Sequence, residues 1–253
     1  MAVQRLAPGW PWRLAVLTPL GVYGFVYPFG IGLLLFGWMP PEAGWVGGCL
    51  LAAQGLAMAA WCGLNYGAAR GLGAAGHIAG AAWALEALGV TTGVPFGAYR
   101  YSPALGAMLG PVPAAIPFAW IATVGAAFFT ARGALPARLA AGALPVWLGA
   151  ALATLQDAVL ETIATRVQGY WTWTEPGAPY YGVPWANFAT WFVAALILGT
   201  VWTFNNINVT YFINQNELET SDPRTRDAAG PRSSGRLTVY DAPTDANPPG
   251  WSR

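Results

Sequence analysis

The chain has no lysine and a single histidine, His77, and only 9% of its 253 residues are charged. A soluble domain carries roughly a quarter charged residues. With 55% apolar residues and a mean hydropathy of +0.43, the chain reads as an integral membrane protein. All 12 basic residues are arginines, which fits a GC-rich coding bias, and a net charge of +1 gives no reason to expect nucleic acid as a partner. One histidine excludes the di-iron membrane enzymes that need histidine clusters. The scattered acids exclude metal-dependent prenyl transfer, where several carboxylates share Mg²⁺. No metal ligand set and no cofactor is expected. The two cysteines, Cys49 and Cys62, lie 13 residues apart in one expected span. That is about 20 Å along a helix, too far for a disulfide, so both read as packing residues. Two motifs match by letters only. GLGAAG at 71–76 lacks the preceding strand and the βαβ unit that a dinucleotide fingerprint requires, and Asn208-Val209-Thr210 is a glycosylation sequon on the side expected to be cytoplasmic. No small-residue cleavage site follows the first apolar run, which reads as a retained span.

What the chain does have is long apolar runs. A helical span needs about 20 mostly apolar residues, and residues 14–38, 45–68, 72–90, 112–130, 138–167 and 185–204 supply them. The expected fold is all-α, a polytopic transmembrane helical bundle of about six spans with aromatic loops capping the outer side. Pro19 and Pro28 predict a kink in the first span, and a full break there would make seven. Gly63, Gly67 and Gly71 form a close-packing face. Residues 1–213 form the expected transmembrane catalytic domain. Residues 214–253 lack apolar periodicity and read as a disordered polar tail. Six spans from an inside N-terminus collect Arg5, Arg13, Arg70, Arg132, Arg138 and the tail arginines on the inside, and leave only Arg100 and Arg166 outside. The positive-inside rule then gives a multi-pass inner-membrane protein with both termini cytoplasmic and the loops 91–111 and 168–184 outside.

Three acids, Glu86, Asp157 and Glu161, fall within expected spans. An acid at the bilayer centre costs roughly 2.5–3.5 kcal/mol to insert, and intramembrane ionisable groups mark functional sites; the alternative is a buried structural hydrogen-bond network. Thr154, Asp157, Glu161, Thr165 and Gln168 follow helical spacing along one face, with Arg166 on the far side. Asp157 and Glu161 are about 6 Å apart along the axis, close enough to share a proton, and a carboxyl that keeps its proton at neutral pH is a general acid. His77 precedes Glu86 by nine residues, roughly half a turn around the helix, so the two face apart and His77 reads as a packing or hydrogen-bonding residue.

Aromatics crowd the loops beside these acids. Trp171 and Trp173 alternate with Thr172 and Thr174, and Glu175-Pro176-Gly177 turns the chain toward Tyr180 and Tyr181, which suggests a short hairpin lid. Such residues serve either as an interfacial aromatic belt or as a cation-stabilising surface, each face contributing about 0.5–2 kcal/mol. Proton-donating acids beside dense aromatics suit carbocation chemistry on an apolar alkene.

Several stretches resemble the membrane carotenoid biosynthesis proteins that hydrate carotene ends, the carotenoid 1',2'-hydratases and the hydratase of the bacterioruberin pathway. They are Glu86, GVPFGAYRY at 93–101, PVPAAIPFAW at 111–120, Asp157 with Glu161, Trp171-Thr172-Trp173, and YYGVPWANF at 180–188. The resemblance covers roughly residues 83–191, and departs where a proline is expected after the second acid and Thr162 stands instead. It implies acid-catalysed addition of water to the terminal C-1',2' double bond of an acyclic or monocyclic carotene, of lycopene or γ-carotene type, without a redox cofactor. Asp157, Glu86 and Glu161 are then the catalytic acids, and Phe96, Tyr99, Tyr101, Trp120, Trp171, Trp173, Tyr180, Tyr181 and Asn187 surround the substrate end, with a water held by a carboxylate and Asn187. The partners implied are the carotene, the lipid bilayer and other membrane enzymes of the carotenoid pathway. Two rivals share these residues: a lycopene-cyclase-like enzyme using the same protonation, and a transporter with the polar stripe as a proton relay.

The arginine asymmetry is testable with reporter fusions. Fusions at Arg70, Arg132 and the tail are expected to report the cytoplasmic side, and fusions near Pro103 and Gly177 the outside. An outside report for the 132–138 loop overturns the topology.

Overall fold

The computed structural model describes residues 10–201, apart from Met39, Pro41, Glu42, Ala141, Pro176, Gly177 and Pro179. The polar tail, the boundary at 213/214, the sequon and the end of the last expected span lie outside the described residues.

The described chain is an all-α membrane helical bundle. Its helices are α1 (Trp10–Leu35), α2 (Gly44–Tyr66), α3 (Ala68–Thr92), α4 (Ile116–Ala134), a short α5 (Ala137–Ala140), α6 (Leu144–Arg166) and α7 (Trp185–Val201). Three stretches, Arg13–Leu35, Gly44–Tyr66 and Leu144–Arg166, are long and apolar enough to cross a membrane by themselves. The six long helices correspond one to one with the six expected spans, but several ends differ. The fourth helix starts at Ile116 because Val112–Pro113 is a strand (β3). The overlong fifth span is two helices, with Pro145 in the first turn of α6, where the missing N–H is tolerated. Gly67, at φ 84°, turns α2 into α3, which places Arg70 in the first turn of α3 and not in a loop. α1 runs through Pro19 and Pro28 as one helix.

α4 lies at the centre, packed on α2, α3 and α6. Its Phe128 ring occupies notches left by Gly149 of α6 and Gly199 of α7, where a Cβ would come within 2.8 Å and 1.9 Å of the ring. Gly55 of α2 lets the backbone of Phe118 approach, and Gly71 of α3 sits against the backbone of Cys62 and Gly63. Close approach through small residues is how membrane helices gain packing without a hydrophobic drive. α1 packs on α2 and presents Leu17, Phe25, Phe29 and Leu35 outward, as a helix that is apolar all round does in lipid. His77 is exposed on α3, and of the cysteines only Cys62 is buried, so the packing roles expected of His77 and Cys49 are not observed.

The loops meet at one end of the bundle. β1 (Tyr99–Tyr101) pairs antiparallel with β4 (Trp171–Trp173), in the register Tyr99 to Trp173, Arg100 to Thr172 and Tyr101 to Trp171. The period of two puts all four rings on one face and the exposed Arg100 and Thr172 on the other. The expected hairpin lid is therefore corrected: β4 pairs with the other loop. The Ser102 N–H to the Tyr170 carbonyl, the Thr174 N–H to the Ala98 carbonyl and the Ala98 N–H to Glu175 Oε1 extend the junction. β2 (Met108–Leu109) and β3 form a separate two-stranded turn.

Gly55→Leu is expected to force α2 off α4, since its Cβ alone would lie 2.5 Å from the Phe118 carbonyl oxygen. Overpacking of this kind costs about 1–3 kcal/mol, read as a lower melting midpoint in detergent. Gly80→Ala, which meets open space, is expected to leave the midpoint unchanged or slightly higher.

Candidate active site

Beneath the β1–β4 junction lies a cavity of about 340 Å³ with a mostly apolar wall. The three acids of the helices meet there, with Glu86 from α3 and Asp157 and Glu161 from α6, none more than 6% exposed. No arginine or histidine lines the cavity among the described residues. Buried carboxyls without a cation must take their partners from neutral donors, and each acid does so differently.

Glu86 is closed at both oxygens. The Tyr99 and Tyr101 hydroxyls donate to Oε2 at 2.5 and 2.8 Å, and the Trp120 indole N–H donates to Oε1 at 2.9 Å. Burial, then the neighbouring Glu86 carboxylate, pushes the Tyr99 and Tyr101 hydroxyls above the usual phenol range, so both stay protonated and serve as donors. The position of Tyr99 depends on Gly89, one turn from Glu86, where a Cβ would meet the Phe96 ring at 2.5 Å and the Tyr99 hydroxyl at 3.1 Å. Trp120 is held flat against Trp191 of α7, with ring centroids 3.6 Å apart.

Glu161 takes both of its strong bonds on one oxygen. The indole N–H groups of Trp171 and Trp173 donate to Oε2 at 3.0 and 2.9 Å. The tyrosines of β1 thus serve the acid of α3, and the tryptophans of β4 serve the second acid of α6. Tyr99 packs on Trp173 at 5.0 Å and Tyr101 on Trp171 at 5.9 Å, so the ladder fixes both sets together.

Asp157 lies one turn deeper on α6. Asn187 of α7 donates to its Oδ2 at 2.8 Å and reaches Glu161 Oε1 at 3.4 Å. Among the described residues Oδ1 accepts no hydrogen bond, and no buried side-chain oxygen lacks a partner, so Oδ1 opens to the cavity. Of the three acids, Asp157 combines the fewest donors with a free oxygen facing the space a substrate would fill.

Of the residues read from the sequence, Glu86, Asp157, Glu161, Phe96, Tyr99, Tyr101, Trp120, Trp171, Trp173 and Asn187 all line this cavity. Tyr180 and Tyr181 do not. The Tyr180 hydroxyl donates to the Ala158 carbonyl at 3.2 Å, and Tyr181 is 58% exposed, its carbonyl accepting from Arg166. The stripe threonines Thr154 and Thr165 donate to carbonyls of their own helix. Sequence reading missed Trp191, Gln54 and Thr123, and missed the side of the cavity formed by Tyr23, Tyr27, Ile31 and Leu34 of α1. Trp191 follows Asn187 by four residues, and that spacing was a usable signal. Nothing in the apolar run of α1 marked its lining residues. No group of three or more His, Cys, Asp or Glu side chains that could hold a metal ion occurs among the described residues.

The family model for carotenoid biosynthesis proteins matches residues 46–222, well over half of the chain. The bisanhydrobacterioruberin hydratase of Haloarcula japonica is 32% identical over 123 residues, which cover 48% of this chain and 41% of that protein. The chain thus aligns with about two fifths of the length of this curated relative. No solved structure matches the chain.

Glu86→Leu is expected to cost at least about 2 kcal/mol of stability, because it leaves the donors of Tyr99, Tyr101 and Trp120 without an acceptor. Glu86→Gln is expected to cost less: its carbonyl can face Trp120 while the two hydroxyls turn to accept from its amide. Thermal unfolding of the two variants in detergent checks the order.

Proposed function

Since the chain belongs to the carotenoid biosynthesis protein family, we propose that it is a carotenoid hydratase, a hydro-lyase that adds water to the terminal C-1',2' double bond of a lycopene- or γ-carotene-type substrate. The observation that carries this reading is the free Oδ1 of Asp157, aimed into an apolar cavity roofed by aromatic rings. The name of the Haloarcula relative supports the reaction class.

A trisubstituted alkene end is protonated at its less substituted carbon, which leaves a tertiary cation. Asp157 supplies the proton. Glu86, held as an acceptor by three donors, places negative charge beside the cation, where a low-dielectric site makes it effective. The faces of Trp171, Trp173, Tyr99 and Tyr101 add cation–π stabilisation. Asn187 ties Asp157 to Glu161, so Glu161 assists. Water then attacks the tertiary centre and gives a tertiary hydroxyl. The substrate end enters along the apolar wall between α1 and α6, with the rest of the polyene in the bilayer. We place the enzyme in the inner membrane with six spans and both termini cytoplasmic, on the arginine asymmetry.

Asp157→Asn is expected to lower turnover toward the upper end of the 10²–10⁴-fold typical of a lost general acid, because alkene protonation has no easy bypass. Glu86→Gln is expected to be as damaging to turnover while remaining folded, and Glu161→Gln less damaging. The product gains the mass of one water, with oxygen-18 from labelled water and none from labelled O₂. A ring-closed product of unchanged mass would point to a cyclase, and near-wild-type turnover in both Asp157→Asn and Glu86→Gln would show the acid assignment to be wrong.

A further inference from the structure

A hydrocarbon substrate offers no hydrogen-bond group, so a polar side chain that faces it without a partner needs another explanation. Two such residues lie on the α2–α4 wall, Gln54 and Thr123. Neither side chain makes a hydrogen bond within the described residues. Thr123 is the more telling because it is only 8% exposed. Thr91, Thr92, Thr154, Thr162, Thr165 and Thr200 all donate to a carbonyl one turn back in their own helix. Thr190 donates to the Pro95 carbonyl instead, the exposed Thr18 and Thr130 make no such bond, and Thr123 is the buried helical threonine without a partner among the described residues, on the cavity wall.

Depth along the helices puts these two groups beside the reacting end. Thr123 follows Trp120 by three residues on the same face of α4, so it lies about one turn below the Trp120–Glu86 bond. Asp157 lies about one turn below Glu161 on α6. α2 runs parallel to α4, with Gly48 against Ala115, Gly55 against Phe118 and Gly125 against Met58. That register brings Gln54 level with the stretch of α4 from Pro117 to Ile121, beside Trp120 and within about one turn of Thr123. An upper layer therefore holds Glu86 and Glu161 with their aromatic donors, Asp157 and Thr123 lie about one turn below it, and Gln54 lines the same cavity from α2 near the level of Trp120.

We propose that Gln54 and Thr123 hold the water that becomes the new hydroxyl, an inference that rests on the hydratase reading. A buried water takes about two to four polar partners; the Gln54 amide oxygen and the Thr123 hydroxyl accept its two hydrogens and leave a lone pair directed at the cation. Protonation from Asp157 breaks the alkene π bond and forms a C–H bond. The water oxygen then forms the C–O bond, and its surplus proton returns to the Asp157 carboxylate. One water is consumed, no net proton is consumed, and no electrons are transferred. Asp157 thus controls protonation, and Gln54 and Thr123 control how the cation is quenched.

This division separates two readouts. Full-length protein is given a lycopene-type carotene in detergent and deuterated water. Gln54→Leu and Thr123→Val are expected to form about tenfold less hydrated product, the effect of one lost hydrogen bond at the upper end of its usual range. They are expected to keep deuterium incorporation into the recovered carotene and its double-bond isomers, because the cation still forms and loses a proton instead. Thr123→Ser, which keeps the hydroxyl, is expected to hydrate as the wild type does. Wild-type hydration in both Gln54→Leu and Thr123→Val overturns the proposal, as does a parallel fall of hydration and deuterium incorporation, which marks a packing role. Thr123→Val is isosteric, so the inserted protein remains available for the measurement. A wild-type enzyme that forms no hydrated product at all overturns the hydratase reading itself, a result distinct from failure of the variants.

Discussion

Three carboxyls lie inside a membrane bundle with no basic side chain lining their cavity among the described residues, and the surrounding structure answers that constraint. A buried charge is tolerable only when it is paired or well hydrogen-bonded. Here the partners are neutral: phenol O–H groups, indole N–H groups and one carboxamide. An indole can only donate, so Trp120, Trp171 and Trp173 are matched to carboxylate oxygens without ambiguity. An arginine in their place would neutralise the site, whereas neutral donors satisfy the oxygens and leave the negative charge uncompensated, as the proposed cation chemistry requires.

The two-stranded ladder follows from the same need. Side chains on helices α3 and α6 bring the acids together, but donors must reach them from above, and a helix cannot present two adjacent residues in one direction. A strand presents every second residue on one face. Tyr99 with Tyr101, and Trp171 with Trp173, use that period to place two donors on one carboxylate oxygen each. Pairing β1 with β4 then ties the α3–α4 loop to the α6–α7 loop, so the roof is one unit. Gly89 and Gly97 are where backbone or ring must come close: a Cβ at Gly97 would lie 2.8 Å from Pro184.

Much of this was legible in the sequence. Six apolar runs gave six long helices, and an acid in a span is conspicuous because it is costly. The alternation at Trp171 and Trp173 announced a strand, yet a period of two says nothing about which strand it pairs with, and the nearer partner by chain distance was not the one used. Helix ends were misjudged at residues 112 and 138 because hydropathy does not distinguish a buried strand or a short helix from the end of a span. Tyr180 and Tyr181 share the aromatic character of the roof, but Arg166 and the Ala158 carbonyl hold that turn away from the cavity. Composition alone could not separate them from Tyr99 and Tyr101.

The residues that escaped notice did so for a physical reason. Gln54 and Thr123 are single, uncharged and set in apolar runs, and a threonine in a membrane helix ordinarily satisfies its own hydroxyl on the preceding turn. Only the fold shows that the buried Thr123 departs from that habit. The departure is informative under the proposed reading, in which the cavity admits the end of a polyene. Recognition of a polyene rests on shape and dispersion, to which an unpaired polar atom contributes nothing and from which it detracts. In a wall facing such a substrate, free polar atoms therefore report on the reaction and not on binding. Gln168, just past the end of α6, adds a further polar side chain to the lining, while the Asp157 carboxyl oxygen reaches the cavity from α6 and the Gln54 and Thr123 groups reach it from α2 and α4. Addition across a double bond, which must deliver a proton to one carbon and an oxygen to its neighbour, calls for that separation.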